Sequence, residues 1–362
     1  MNPIEEAKRL GQSVWLDYIR RDLITSGELA ELVRDGISGL TSNPTIFQKA
    51  IAQSSDYDAA LKTFLDANPD ADIPTLYEHL AVADVRLASD ILRPVYDATG
   101  GSDGFVSLEV SPHLADDTET TTAEARRLWR LVDRPNLMIK VPATPPGIPA
   151  IETLIAEGIN VNATLMFSMK HYEAVAWAYL RGIARNPAPK QTASVASFFV
   201  SRVDSYVDKE LERIGTGAAL ALRGKAAVAN SKLVYRRFRE LFAGEEFKES
   251  QRRGAHRQRV LWGSTSTKNP DYPDTKYVDN LIGPDTVNTL PPSTIAAFRD
   301  HGQAQLTLDK ELAESEQVII RLGELGIDLE AITEQLQKDG VQAFIDSFDQ
   351  LLEALAEKRR VA

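Results

Sequence analysis

The chain has 362 residues and no cysteine, which excludes disulfides, thiolate catalysis and cysteine-type zinc or iron–sulfur sites. Its 43% hydrophobic and 26% charged residues are ordinary for a globular protein. The formal net charge of -11, with no long block of Lys or Arg, argues against general nucleic-acid binding but leaves room for an anionic metabolite in a locally basic cleft.

The N-terminal stretch MNPIEEAKRLGQSVW is acidic and helical in pattern, unlike a basic segment leading into an apolar run. No stretch approaches the ~18 uninterrupted apolar residues of a membrane span; AVAWAYL at 174–180 is far too short. The expectation is a cytoplasmic protein with neither membrane nor nucleic-acid partners.

Eight strand-like runs follow one another: 13–19, 39–44, 104–110, 137–143, 159–167, 191–200, 259–266 and 286–291. Between them lie segments with apolar residues at helical spacing, such as AEARRLWRLV and HYEAVAWAYLRGIA. Residues 64–75 and 243–257 are polar and read as loop insertions. Length alone suggests about two domains, but no Pro/Gly/Ser-rich linker divides the chain. Strands alternating with helices imply a parallel sheet, and eight units favour closure into a (β/α)8 TIM barrel. The expected organisation is one barrel domain over 1–362 with additional helices and a helical C-terminal extension from about 303. Phe344, Phe348 and Leu352 step by four there, the mark of a helix packing on the barrel.

Strand parity sorts the side chains. Val106, Leu108 and Val110 share one face and Ser107 and Glu109 the other; Val161, Ala163 and Leu165 oppose Asn160, Asn162 and Thr164. A barrel strand packs its outer face on apolar helices, so the polar parity should point inward, near the strand C-termini where barrel active sites lie. This gathers Asp17, Asn43, Glu109, Lys140, Asn162, Thr164 and Ser197. Lys140 interrupts the apolar run LMIKVPAT. It is either a desolvated amine able to form a Schiff base with a ketone, or half of a structural ion pair with Asp17 or Glu109. Two carboxylates in different environments can divide acid and base work; alternatively Asp17, followed by YIRRD, only pairs with an arginine. Asn43 before Pro44 suits a helix N-cap, with a substrate hydroxyl as a compatible second role. Arg202 in SFFVSR, and Ser264 and Lys268 in GSTSTKN, suit phosphate binding after strands six and seven. The five histidines have no paired spacing, so a histidine-based metal site is not expected.

The ordered set VWLDYIRRDLI, GLTSNPTIF, VSLEVSP, LMIKVPAT, INVNATLMFS, SFFVSRVD and LWGSTSTKN, spread over essentially the whole chain, resembles the transaldolases, and most closely their longer bacterial branch. The resemblance implies a class I aldolase-type barrel without cofactor or metal, acting on sugar phosphates as a monomer or homodimer. It implies transfer of a dihydroxyacetone unit from sedoheptulose 7-phosphate to glyceraldehyde 3-phosphate in the pentose phosphate pathway. Lys140 is similar to the Schiff-base lysine of that family. Asp17 resembles its acid/base at the C4 hydroxyl, and Glu109 and Thr164 its water-handling pair. Asn43, Asn162 and Ser197 fall on dihydroxyacetone-binding positions, Arg202 on a phosphate-binding one. Lys268, with Ser264 beside it, stands where shorter relatives carry a phosphate-binding arginine. An aldolase releasing free dihydroxyacetone would use the same residues; a sugar-phosphate-binding scaffold and a metal-dependent barrel enzyme are the remaining alternatives.

Overall fold

The computed structural model describes residues 2–52 and 54–361. Among them, eight parallel strands close into a barrel in chain order: β1 Gln12–Asp17, β2 Leu40–Thr41, β3 Val106–Glu109, β4 Leu137–Pro142, β5 Val161–Met166, β6 Ser194–Phe199, β7 Arg259–Gly263 and β8 Thr286–Leu290. Closure is made by β1 against β8, in register from Gln12 opposite Thr286 to Leu16 opposite Leu290. Seven strands lie within their expected runs; β1 begins one residue before its run, at Gln12, and β2 is the shortest at two residues.

Parity behaves as alternation requires. Val14, Leu16, Val106, Leu108, Ile139, Val141, Val161 and Ala163 belong to the large core between the barrel and its helices. Trp15, Phe105, Met138, Val195, Leu261 and Val287 form a separate apolar plug inside the barrel. The plug seals the lower half, so polar inward groups one step further along each strand are confined to the upper mouth. Gly39 is required for this plug: a Cβ there would stand 2.4 Å from the Trp15 indole. Beneath the plug, the Ser13 hydroxyl donates to Asp103 at 2.5 Å and the Trp15 indole N–H donates to the same carboxylate at 2.8 Å.

The C-terminal helix, Leu329–Val361, packs across the barrel mouth and against the helix Pro44–Ala52. Phe344, Phe348, Leu351 and Leu355 are its buried side, which confirms the expected closing helix. It is seated on an irregularity of β5. The β5–β6 register shifts between Ala163 and Met166, and Leu165 takes a left-handed φ of 63°. The Gln337 side-chain amide donates to the carbonyls of Ala143, at 3.0 Å, and Leu165, at 2.9 Å. Gly340 passes so close that a Cβ would lie 2.9 Å from the Leu165 side chain.

The two polar stretches read as loops are largely helical. Asp58–Ala67 and Ile73–Ala98 are helices, as is Glu245–Arg252. The last buries only Phe247 and Ser250, with Phe247 edge-on to Phe242 at 5.1 Å. One apolar anchor in a charged segment leaves no visible helical period. No helix of the described residues is long and apolar enough to cross a membrane.

Candidate active site

The mouth holds a cavity of about 380 Å³ whose wall includes Asp17, Asn43, Lys140, Thr164, Ser197, Arg202, Ser264 and Lys268. Lys140 is only 4% exposed. Its Nζ donates to the Ser42 carbonyl at 3.1 Å and lies 3.4 Å from Glu109 Oε2. The Phe344 ring of the C-terminal helix stands over it, 5.5 Å from Nζ to centroid. The lysine, carboxylate and ring face together make a desolvated, polarised environment in which Lys140 and Glu109 face each other.

Glu109 is buried, and neither carboxylate oxygen accepts a well-aligned hydrogen bond from the described residues. Burial pushes its carboxyl up to about 7, with Lys140 opposing and Asp17 reinforcing the rise. Asp17 ends β1 at the cavity floor, and burial likewise pushes its carboxyl up, against the pull of Lys140, the Thr41 hydroxyl and Lys268. Thr41 donates to Asp17 Oδ1 at 2.7 Å, and the Thr289 hydroxyl lies 2.6 Å behind Thr41. The arginines after Asp17 are engaged elsewhere: Arg20 pairs with Asp56 and Arg21 with Asp84. The structural alternative of an Asp17–arginine pair is therefore not what the fold makes.

Asn43 caps the helix Pro44–Ala52, its Oδ1 accepting from the Ile46 N–H at 3.0 Å. That use leaves its NH2 for the cavity. Asn162 is fully buried and off the cavity wall. Its NH2 donates to Ser107 Oγ at 3.0 Å and its Oδ1 accepts from Ser197 Oγ at 2.6 Å, so it holds Ser197 in place across three strands. Thr164 Oγ1 is buried on the wall with no hydrogen-bond partner.

The outer wall is cationic. Arg202 lies in the first turn of the helix Ser201–Ile214, its guanidinium 5.6 Å from the Phe199 ring centroid. Lys268 donates to Ser266 Oγ at 2.7 Å; burial first, then Arg202 and Lys49, hold its ammonium below the usual range. Among the described residues, none of Lys49, Arg202 and Lys268 lies within ion-pair distance of a carboxylate. Three cations with no ion-pair partner among the described residues, beside a helix N-terminus, give this wall the chemistry that suits an anion. Ser264, with φ 53°, joins the same wall while its hydroxyl lies 3.1 Å from Ser201 Oγ.

The family model described as Transaldolase/Fructose-6-phosphate aldolase matches residues 14–355. The chain belongs to this family. It is 49% identical to a transaldolase of Thiobacillus denitrificans over 97% of this chain and 99% of the relative. It is 48% identical to a transaldolase of Frankia alni over 99% of this chain and 97% of the relative. A protein named transaldolase 2 in Nostoc punctiforme is 45% identical over 99% of this chain and 98% of its own length. Family membership makes the chain a transaldolase-type enzyme.

Within this transaldolase-family barrel, several wall residues escape a strand-by-strand reading. Lys49 follows Thr45 by four positions and Ile46 by three, so one helical face faces the cavity, a spacing visible in SNPTIFQKA. Thr289 shares the inward parity of Val287, and the short β2 run hides the parity of Thr41. Phe344 shows in the sequence only as a packing residue, because the helix that carries it crosses from the far end of the chain.

Proposed function

We propose that this enzyme transfers a dihydroxyacetone unit from sedoheptulose 7-phosphate to glyceraldehyde 3-phosphate through a Schiff base on Lys140, giving erythrose 4-phosphate and fructose 6-phosphate. The observation that carries the reading is one cavity with a buried, Glu109-paired lysine at its floor and three unpaired cations on its outer wall. A ketose phosphate is the substrate class that satisfies both ends.

The Lys140 amine, its proton held by Glu109, attacks the C2 carbonyl. The carbinolamine hydroxyl then takes a proton and leaves as water, producing the iminium. Asp17 removes the C4 hydroxyl proton, the C3–C4 bond breaks, and its electron pair moves into the iminium to form an enamine while the aldehyde departs. The acceptor aldehyde reverses these steps: the enamine carbon attacks it, and Asp17 returns the proton to the new hydroxyl. Water then adds to the iminium and frees Lys140. Asn43 and Ser197 orient the dihydroxyacetone part, Thr164 with Glu109 holds the water, and Arg202 with Lys268 and Ser264 meets the phosphate. Phe344 over the lysine shields the enamine from solvent, which favours transfer over release of free dihydroxyacetone.

Incubation with fructose 6-phosphate and borohydride, followed by mass spectrometry, should show one reduced dihydroxyacetone or sugar adduct on Lys140. Lys140→Ala should lose it; equal trapping in that variant would refute the assignment. With glyceraldehyde 3-phosphate or erythrose 4-phosphate as acceptor, transfer product should exceed free dihydroxyacetone. The opposite ratio would favour the aldolase reading.

A further inference from the structure

Lys140 lines the substrate cavity, but its partner Glu109 does not. Glu109 sits on the floor of a second cavity of about 460 Å³, enclosed by the helices Pro44–Ala52, Ile73–Ala98, Thr118–Val132 and the C-terminal helix. The rim of this cavity, at Pro74, Thr75, His113 and Arg127, is exposed, whereas its floor, at Leu108 and Glu109, is buried. Ser42, whose carbonyl accepts from Lys140, also lines it, and Asn43 lines both cavities. The Lys140–Glu109 pair thus spans the partition between two openings on different sides of the barrel mouth.

The walls are mostly apolar, through Phe47, Ala81, Val110, Leu128 and Phe348, with a polar interior feature at the deep end. Tyr77 lines this cavity together with Glu109, and its hydroxyl is pushed above the usual range by burial and then by the charge of Glu109. A passage of this kind suits a small neutral molecule that needs two or three hydrogen-bonding stations. A sugar phosphate, by contrast, matches the cationic wall on the other side.

We infer that the second cavity is a water port for the lysine site, through which the water of imine formation and hydrolysis exchanges with bulk past Tyr77 and Glu109. The inference rests on the Schiff-base reading above. Each imine formed from a ketone and an amine releases one water, and each hydrolysis consumes one. During both steps the sugar phosphate fills the substrate cavity between Lys140 and the mouth. A separate port lets the protonated Glu109 deliver its proton to the departing hydroxyl and lets the resulting water leave from the side opposite the sugar. In hydrolysis, the Glu109 carboxylate takes the proton of the water that adds to the iminium.

The absence of native cysteine makes a reversible plug available. Thr75→Cys places one thiol on the exposed rim, for modification with either methyl or benzyl methanethiosulfonate. The readout is loss of oxygen-18 from the C2 carbonyl of labelled fructose 6-phosphate in ordinary water, above the spontaneous rate. The benzyl-modified protein should exchange at least fivefold more slowly than the methyl-modified one. The KM for fructose 6-phosphate should be unchanged, and dithiothreitol should restore the rate. An unchanged rate at complete benzyl modification would overturn the port, as would a KM that rises in step with the loss. If the unmodified protein shows neither oxygen exchange nor a borohydride adduct, the Schiff-base reading itself fails, and that outcome is distinct from a failure of the port.

Discussion

At the scale of single residues, charge placement is the deciding quantity. Glu109 is held at about 7 against an ordinary 4.5. Between these values the folded chain binds a proton that the unfolded chain has released, so stability falls as pH rises. The contribution is full below pH 4.5 and lost as pH climbs through about 7, amounting to on the order of 1–3 kcal/mol. Urea unfolding at pH 5 and pH 8 should show a larger loss in the natural protein than in Glu109→Gln; equal losses would contradict the assignment. The cationic wall makes a different forecast. Arg202→Ala should raise the KM for fructose 6-phosphate by about 10- to 100-fold, the worth of one charge-assisted hydrogen bond. The same variant should leave the reaction of unphosphorylated fructose unchanged, and an equal loss with both sugars would remove Arg202 from the phosphate site.

At the scale of elements, the C-terminal helix is the part that ties stability to the site. It brings Phe344 over Lys140, and its position depends on Gln337 bridging two carbonyls at the β4 and β5 ends. Gln337→Ala would leave those buried acceptors unpaired, at about 1–3 kcal/mol. The expected result is faster amide hydrogen exchange across 329–361 together with a lower kcat, because the roof over the lysine loosens. Unchanged exchange with a lower kcat would mean that Gln337 acts on the site by another route. Gly340→Val should be worse tolerated than glycine's weak helix propensity suggests, since the added carbons meet Leu165. A Tm equal to or above that of the natural protein would show that Leu165 has room to move.

At the scale of the whole molecule, closure through β1 and β8 makes both ends of the barrel sequence mutually dependent. The expected consequence is a single cooperative unit, including the C-terminal helices. Unfolding followed by the fluorescence of the four tryptophans, among them Trp15 inside the barrel and Trp129 outside it, should coincide with the loss of helical circular dichroism. Two separated transitions would divide the chain into independently folding parts. The overall charge of -11 surrounds a local cluster of cations, so sugar-phosphate KM should rise with ionic strength as salt screens that cluster.

Much of this architecture is legible along the chain, for local reasons. Alternation in runs such as FVSLEV and LMIKVPA is a period-two property, which sets which side chains face inward before any partner strand is known. Eight such runs separated by helical segments leave few closed arrangements, and inward parity is enough to assemble Asp17, Glu109, Lys140, Thr164 and Ser197 at one end. The capping role of Asn43 is likewise a local matter of SNP. What only the tertiary structure decided involves groups far apart in sequence. Examples are Phe344 over Lys140, Lys49 joining Arg202 and Lys268, Asn162 turned to holding Ser197, and the second cavity behind Glu109. Short-range periodicity reports which side of an element is apolar. It carries no information about which distant element covers that side, or about the space left between them, because those depend on how the volumes of the whole chain fit together.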